Sequence, residues 1–172
     1  LCDNFHGGFQ CLCAEGTVDL NGDASECLPV AAVDSGHEHS CALDNDERLW
    51  CWGKNDTGQL GDGTQIDRPS PTRIGTETWS TISAGWNHTC GITTAGYLYC
   101  WGNNTDAQIG LPNSDPAWPF RSPSQVDPNP GWVAVSAGSQ LTCALHNSGP
   151  FTTLWCWGTT LTDAANNTMT KS

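Results

Sequence analysis

Across 172 residues the formal net charge is −12, with only six Lys and Arg, and these do not cluster. Such a surface repels phosphates, which excludes nucleic acid and anionic membranes as partners; it suits solubility, calcium-rich surroundings or a basic partner. Hydrophobic residues are 37 %, so nine Trp supply much of the burial, while Gly 19 and Pro 10 punctuate short apolar runs in the manner of an all-β chain.

In chain order, residues 1–28 come first and have their own chemistry: Cys2-Asp3-Asn4, then Phe9-Gln10-Cys11-Leu12-Cys13, then Gly16 and a loop ending at Cys27. Three copies of one pattern follow. The first is Val33-Asp34-Ser35-Gly36, His39-Ser40-Cys41-Ala42-Leu43 and Leu49-Trp50-Cys51-Trp52-Gly53. The second is Ile82-Ser83-Ala84-Gly85, His88-Thr89-Cys90-Gly91-Ile92 and Leu98-Tyr99-Cys100-Trp101-Gly102. The third is Val135-Ser136-Ala137-Gly138, Leu141-Thr142-Cys143-Ala144-Leu145 and Leu154-Trp155-Cys156-Trp157-Gly158. Two copies run on into tails, Gly58-Gln59-Leu60-Gly61 and Ala107-Gln108-Ile109-Gly110; residues 159–172 carry no such tail, so the last repeat reads as incomplete.

A repeat near 50 residues made of several short strands suggests a propeller blade. The motifs Ala-Gly-x-x-His-Ser/Thr, Leu-x-x-Trp-Gly and Gly-Gln-Leu-Gly resemble regulator-of-chromosome-condensation (RCC1) repeats over residues 30 to 158. The resemblance implies four-stranded blades, seven of which usually close a ring. The expected fold is all-β: a partial β-propeller of about three such blades plus a truncated module, divided as 1–28, 29–78, 79–131 and 132–172. Seven blades need roughly 350 residues, so three leave an open sheet edge.

Residues 1–28 resemble the second half of a calcium-binding epidermal-growth-factor (EGF) module. That resemblance implies a Cys13–Cys27 bond and makes Asn4 a hydroxylation or Ca²⁺ candidate, with capping of a turn as the equal alternative. Family partners for Cys2 and Cys11 would precede them, so either the chain is part of a longer protein or this pair acts otherwise. Ca²⁺ needs six to eight oxygens, and the acidic stretch that supplies them in the family is missing; an intact Ca²⁺ site is an expectation for a full-length parent and not for this chain alone, and no other cofactor is expected.

Ten Cys, an even number, read as a disulfide framework in an oxidising compartment. If Cys41 and Cys51 face each other in a hairpin, Asn45-Asp46-Glu47 forms its loop; Cys90 and Cys100 enclose Thr94-Ala95-Gly96, with Gly96 where a left-handed residue belongs. Opposed strand residues lie ~4.5–5.5 Å apart, within disulfide reach. The expected bonds are Cys41–Cys51, Cys90–Cys100 and Cys143–Cys156, the last around a longer loop at 146–153. Zinc is the disfavoured rival, because close C-x-x-C pairs are absent.

Four sequons, at Asn55, Asn87, Asn103 and Asn166, fit the same compartment as N-glycosylation sites. No run of ~18 apolar residues spans a membrane. The chain opens on Leu with no visible leader, which reads as a processed or truncated end.

Trp52, Trp101 and Trp157 recur just before Gly, which favours packing between blades over a sugar-binding platform. His39 and His88 share a repeat position with Leu141, which favours a structural role, and His37-Glu38-His39 lacks the spacing of a metalloprotease helix. No nucleophile elbow, P-loop or dinucleotide fingerprint occurs, so no enzyme is expected. The resulting reading is an extracellular, glycosylated structural or adhesive protein that assembles at a cell surface or in a filament. Its partners would be other extracellular proteins or copies of itself. The alternatives are a secreted protein- or carbohydrate-binding module, using the inserts 62–71 and 111–123 with Trp118 exposed, and, less favoured, a secreted hydrolase.

Overall fold

The computed structural model describes residues 29–112 and 119–159 in full, and before them only the backbone of the strand residues 2–5, 8–11, 17–19 and 27–28. The described residues are all strand and turn, with no helix. A hairpin of β1 (Cys2–Phe5) and β2 (Gly8–Cys11) comes first. The first large sheet runs β3 (Thr17–Asp19), β4 (Cys27–Ser35), β5 (His39–Asp44), β6 (Leu49–Gly53), β7 (Arg68–Ile74). The second runs β8 (Trp79–Ala84), β9 (His88–Thr93), β10 (Leu98–Gly102), β11 (Ser124–Gln125), and the third β12 (Trp132–Ala137), β13 (Leu141–Ser148), β14 (Phe151–Gly158). Every neighbour is antiparallel and consecutive in sequence, so each repeat is one up-and-down blade of a partial propeller.

Blade 1 gains a fifth strand, because β3 pairs with β4 at Thr17↔Pro29 and Asp19↔Cys27. The sequence boundary at 28 therefore falls inside a strand: the extended run entering Val30 begins at Cys27.

Within each blade the central hairpin sets the register. Cys41 opposes Cys51, Cys90 opposes Cys100 and Cys143 opposes Cys156. A disulfide joins each pair, with Cα atoms 4.1 Å apart in all three. Gly96 turns the second hairpin at φ 83°, and Glu47 takes the same left-handed conformation in the first at φ 62°. The third hairpin departs from the looser 146–153 loop read from sequence. Its strands continue to Ser148↔Phe151 and turn through Gly149-Pro150 alone, with Gly149 at φ 67°. Glycine at positive φ followed by proline suits a two-residue II′ turn, and Phe151, Thr152 and Thr153 are good strand formers, so the extra residues lengthen the ladder. Thr152 Oγ1 donates to Asn147 Oδ1 across it at 2.7 Å.

The core lies between blades. Cys41, Leu43, Leu49, Cys51, Leu60 and Ile74 of blade 1 pack against Trp79, Ile82 and Trp101 of blade 2. Cys90, Ile92, Leu98, Cys100, Ile109 and Phe120 of blade 2 pack against Trp132 and Ala144 of blade 3. Each blade is thus one half of a core that its successor completes, and the first two disulfides are buried inside those cores.

Candidate interaction surface

Alternation along β9 and β10 sends the cysteines to one face and Thr89, Trp101 to the other, toward the preceding blade. There a polar lock forms. The Thr89 hydroxyl and the Trp101 indole both donate to the Gln59 carbonyl, at 2.7 and 3.0 Å. His39 Nε2 lies 2.8 Å from the same hydroxyl. Because the hydroxyl proton is committed to the carbonyl, Nε2 carries the imidazole proton and donates it, while Nδ1 stays bare and unpartnered. Burial drives the His39 pKa down to about 4 against a smaller opposing pull from Asp34, so the ring is neutral.

The second interface repeats this. Thr142 and Trp157 donate to the Gln108 carbonyl at 2.7 and 2.9 Å, and His88 Nε2 meets the Thr142 hydroxyl at 2.8 Å. Burial, with His39 adding to it, lowers the His88 pKa to about 4. A strap along the inner strands accompanies each lock: Ala84 N donates to Asp34 Oδ2 at 2.9 Å, and Ala137 N to Ser83 Oγ at 3.0 Å.

Among the described residues, the outer faces of the end blades carry the same positions uncovered. Val33 is 69 % exposed where its counterpart Ile82 is 7 % exposed. Trp52 and Ser40, the counterparts of Trp101 and Thr89, are half-buried. At the other end Leu154 is 59 % exposed where Leu49 and Leu98 are 0 % exposed. The two faces differ in chemistry. Blade 1 keeps the hydroxyl and indole of the lock, whereas blade 3 has Leu141 in the imidazole's place.

The lock, the strap and the Gly-Gln-Leu-Gly tails are carried by residues that recur in register, and the sequence profile of one family follows them. The regulator of chromosome condensation (RCC1) repeat matches residues 46–92 and 95–145, and a second profile of the same repeat matches 30–59 and 79–108. The chain belongs to the RCC1 repeat family. Among curated relatives, the human probable E3 ubiquitin-protein ligase HERC6 is 42 % identical over 48 residues, 27 % of this chain and 5 % of HERC6. Among solved structures, Prp20 of Saccharomyces cerevisiae is 24 % identical with a TM-score of 0.66, over 75 % of this chain and 33 % of Prp20. The ectodomain of the receptor kinase CR4 of Physcomitrella patens is 25 % identical with a TM-score of 0.50, over 87 % of this chain and 36 % of that one. The chain therefore spans about a third of the solved relatives and a small part of the curated ones.

A partial propeller of RCC1 repeats is suited to protein–protein contact. Among the described residues no helix is long and apolar enough to cross a membrane, and no three His, Cys, Asp or Glu gather as metal ligands. His39 and His88 are taken up by the locks, and so are the indoles of Trp101 and Trp157, which places these two Trp in packing between blades.

The sequon residues separate sharply. Asn55 is 0 % exposed, and its Nδ2 donates to Asp62 Oδ1 at 3.0 Å and to the Ile66 carbonyl at 3.1 Å, while its Oδ1 accepts from Leu60 N at 3.0 Å. Its reading as a glycan acceptor conflicts with this packing, since the amide nitrogen that would bear the sugar is enclosed. Asn104, at the same repeat position, likewise accepts from Ile109 N at 3.0 Å. The recurrence of Asn after Trp-Gly-x was the available signal for this loop-closing role. Asn87 and Asn103 are half-buried.

The insert 62–71 is held together as well: within it Arg68 pairs with the buried Asp62 carboxylate at 2.6 Å. Asn166, Trp118 and Cys13 lie outside the described residues, and Asn4 and Cys27 fall where only backbone is described. What sequence reasoning missed is the Gln59 and Gln108 carbonyl hub. The tails were visible as repeats, but a backbone acceptor leaves no side-chain signature.

Proposed function

We propose that this chain is part of an extracellular RCC1-type propeller that presents its blade faces and loops for protein–protein contact, in an adhesive or structural assembly. The observation that carries it is one inter-strand disulfide in each of the three blades. Such bonds persist in oxidising compartments and are kept reduced in the cytosol. The likeness to the CR4 receptor ectodomain supports the same side of the membrane. Enzymatic activity such as that named for HERC6 is not carried over, because the match covers 5 % of that protein.

In this reading residues 1–28 are the end of an EGF-like module, with a Cys13–Cys27 bond and Asn4 as its modification or Ca²⁺ candidate. Residues 29–78, 79–131 and 132–172 are the repeats, and Asn87, Asn103 and Asn166 are the glycan acceptors. Partners are other extracellular proteins or further copies of the chain. The test is alkylation of the natural protein without reduction, followed by peptide mass analysis. Blocked Cys51, Cys100 and Cys156 are expected; their alkylation would overturn the extracellular reading. Cross-linking on intact cells then identifies what the faces touch.

A further inference from the structure

Blade 2 carries two sequons, Asn87-His88-Thr89 and Asn103-Asn104-Thr105. Glycan transfer to such a site needs two groups. The Asn amide nitrogen takes the sugar, and the hydroxyl two residues on is held by the transferase. The fold leaves both groups within reach at one sequon and withdraws one of them at the other.

At the first sequon it is the hydroxyl that is withdrawn. Asn87 is half-buried and follows the exposed Trp86 in the loop between β8 and β9. Thr89 lies in β9, paired with Ala84 on one side and Trp101 on the other, and is 0 % exposed. Its hydroxyl accepts from His39 at 2.8 Å and donates to the Gln59 carbonyl at 2.7 Å, so its proton is already committed across the interface. The main chain is pinned as well. The Asn87 carbonyl accepts from Asn103 N at 2.8 Å and from the Thr57 hydroxyl at 3.1 Å. An enzyme can reach the Thr89 hydroxyl only when blade 2 stands away from blade 1.

The second sequon is built the other way round. Thr105 is exposed in the loop after β10, and its hydroxyl meets only the neighbouring Asp106 carboxylate, at 3.2 Å. Asn103 uses its side-chain oxygen to accept from Thr105 N at 3.1 Å, which leaves the amide nitrogen for other chemistry. The buried member is the middle one. Asn104 is 1 % exposed, donates to the Leu111 carbonyl and accepts from Ile109 N, so it holds the loop from within while the two reacting residues flank it outside.

We propose that Asn103 is the glycan acceptor of the folded blade 2, whereas Asn87 accepts a glycan only before the lock between blades 1 and 2 closes. The reaction is the same at both. The amide nitrogen bonds to C1 of the first sugar, the bond from C1 to the pyrophosphate of a lipid-linked oligosaccharide breaks, and the amide proton passes to a base of the transferase. The Thr89 hydroxyl is not consumed, so the lock can close afterwards. Blade 1, with His39 and Gln59, precedes Thr89 in the chain, so the lock can close as soon as β9 and β10 have paired. Occupancy at Asn87 therefore records how long blade 2 stays undocked. The inference rests on the extracellular reading and adds the order in which folding and modification occur.

The test offers the oxidised chain, made unglycosylated in a bacterial host, to a purified oligosaccharyltransferase with a lipid-pyrophosphate-linked oligosaccharide. Each sequon is read by peptide mass. Asn103 should be modified, and Asn87 at least ~tenfold more slowly, because access there needs local opening. In the reduced, unfolded chain the two sites should react at comparable rates. His39→Leu takes away one partner of the Thr89 hydroxyl and should speed transfer to Asn87 while leaving Asn103 unchanged. Equal rates at the two sites of the folded chain, an inert Asn103, or an Asn87 that stays inert after unfolding would each overturn the proposal. So would a His39→Leu effect that is absent or equal at both sites. The extracellular reading fails separately, on alkylated cysteines in the natural protein.

Discussion

The Thr89 hydroxyl stands between His39 and Gln59, accepting a hydrogen bond from the imidazole Nε2–H at 2.8 Å and donating its own to the Gln59 carbonyl at 2.7 Å. Thr89→Val keeps the shape and deletes both bonds, leaving a buried N–H unpaired. A stability loss of about 1–3 kcal/mol is expected, read as a lower urea midpoint at unchanged slope. Thr89→Ser should restore most of it.

The locks also make stability acid-sensitive. Burial holds His39 and His88 at pKa values of about 4, below the 6.5 of an exposed imidazole. The unfolded chain therefore binds more protons than the folded one between those values. Stability is full above about pH 6.5 and falls as the pH drops toward 4, with a limiting loss on the order of 3 kcal/mol per histidine. His88→Leu, which copies the residue found at position 141, should reduce the difference in unfolding free energy between pH 7 and pH 5 by about half of the histidine contribution.

The repeats, their strands and the facing of the hairpin cysteines are legible in the sequence because side-chain alternation and short turn-rich loops are local properties. Trp101 and His88 are legible as structural for a related reason: a residue that recurs in every blade, or yields to Leu141, is one that packing can use. The Gln59 carbonyl is invisible because its function belongs to the backbone. Asn55 misleads because a sequon is a three-residue pattern, while the pocket that encloses its amide is built from Asp62, Thr64 and Ile66 farther along the chain.

Glycine at the inner strand ends should be intolerant wherever a blade follows. A Cβ on Gly85 would sit 2.5 Å from the Gly138 carbonyl oxygen and closer still to His88 Cε1. Gly85→Ala is expected to cost about 1–3 kcal/mol through overpacking. Gly138 holds the same repeat position, and a Cβ there meets nothing nearer than the Leu141 carbonyl at 3.4 Å. Gly138→Ala should therefore be close to neutral, and the contrast is read by thermal unfolding of the two variants in parallel.

Cross-linking each hairpin limits the unfolded chain. Replacing Cys90 and Cys100 together by Ala removes a bond of sequence separation 10. A loss of about 2–3 kcal/mol is expected from loop entropy, measured by denaturant unfolding against the oxidised parent. Reductant should destabilise the parent further than this variant, which has one bond fewer to lose.

The sequons give a prediction that separates local pattern from fold. Oligosaccharide transfer requires the Asn amide nitrogen to be free, and in the folded chain that of Asn55 is engaged by Asp62 and Ile66 with the residue fully buried. A glycan there would force the loop open and expose Leu60, whose N–H caps the same side chain. Asn87 and Asn103 are half-buried, and the Asn103 side chain contributes only its oxygen to Thr105 N at 3.1 Å. Protein made in a secretory host should therefore carry glycan at Asn87 or Asn103 and none at Asn55, read by enzymatic deglycosylation and peptide mass. Asn55→Asp should lower stability by about 1–3 kcal/mol without changing the glycan mass, because it turns a buried donor into an acceptor facing Asp62. A folded protein bearing sugar on Asn55 would mean that this loop is not packed as described.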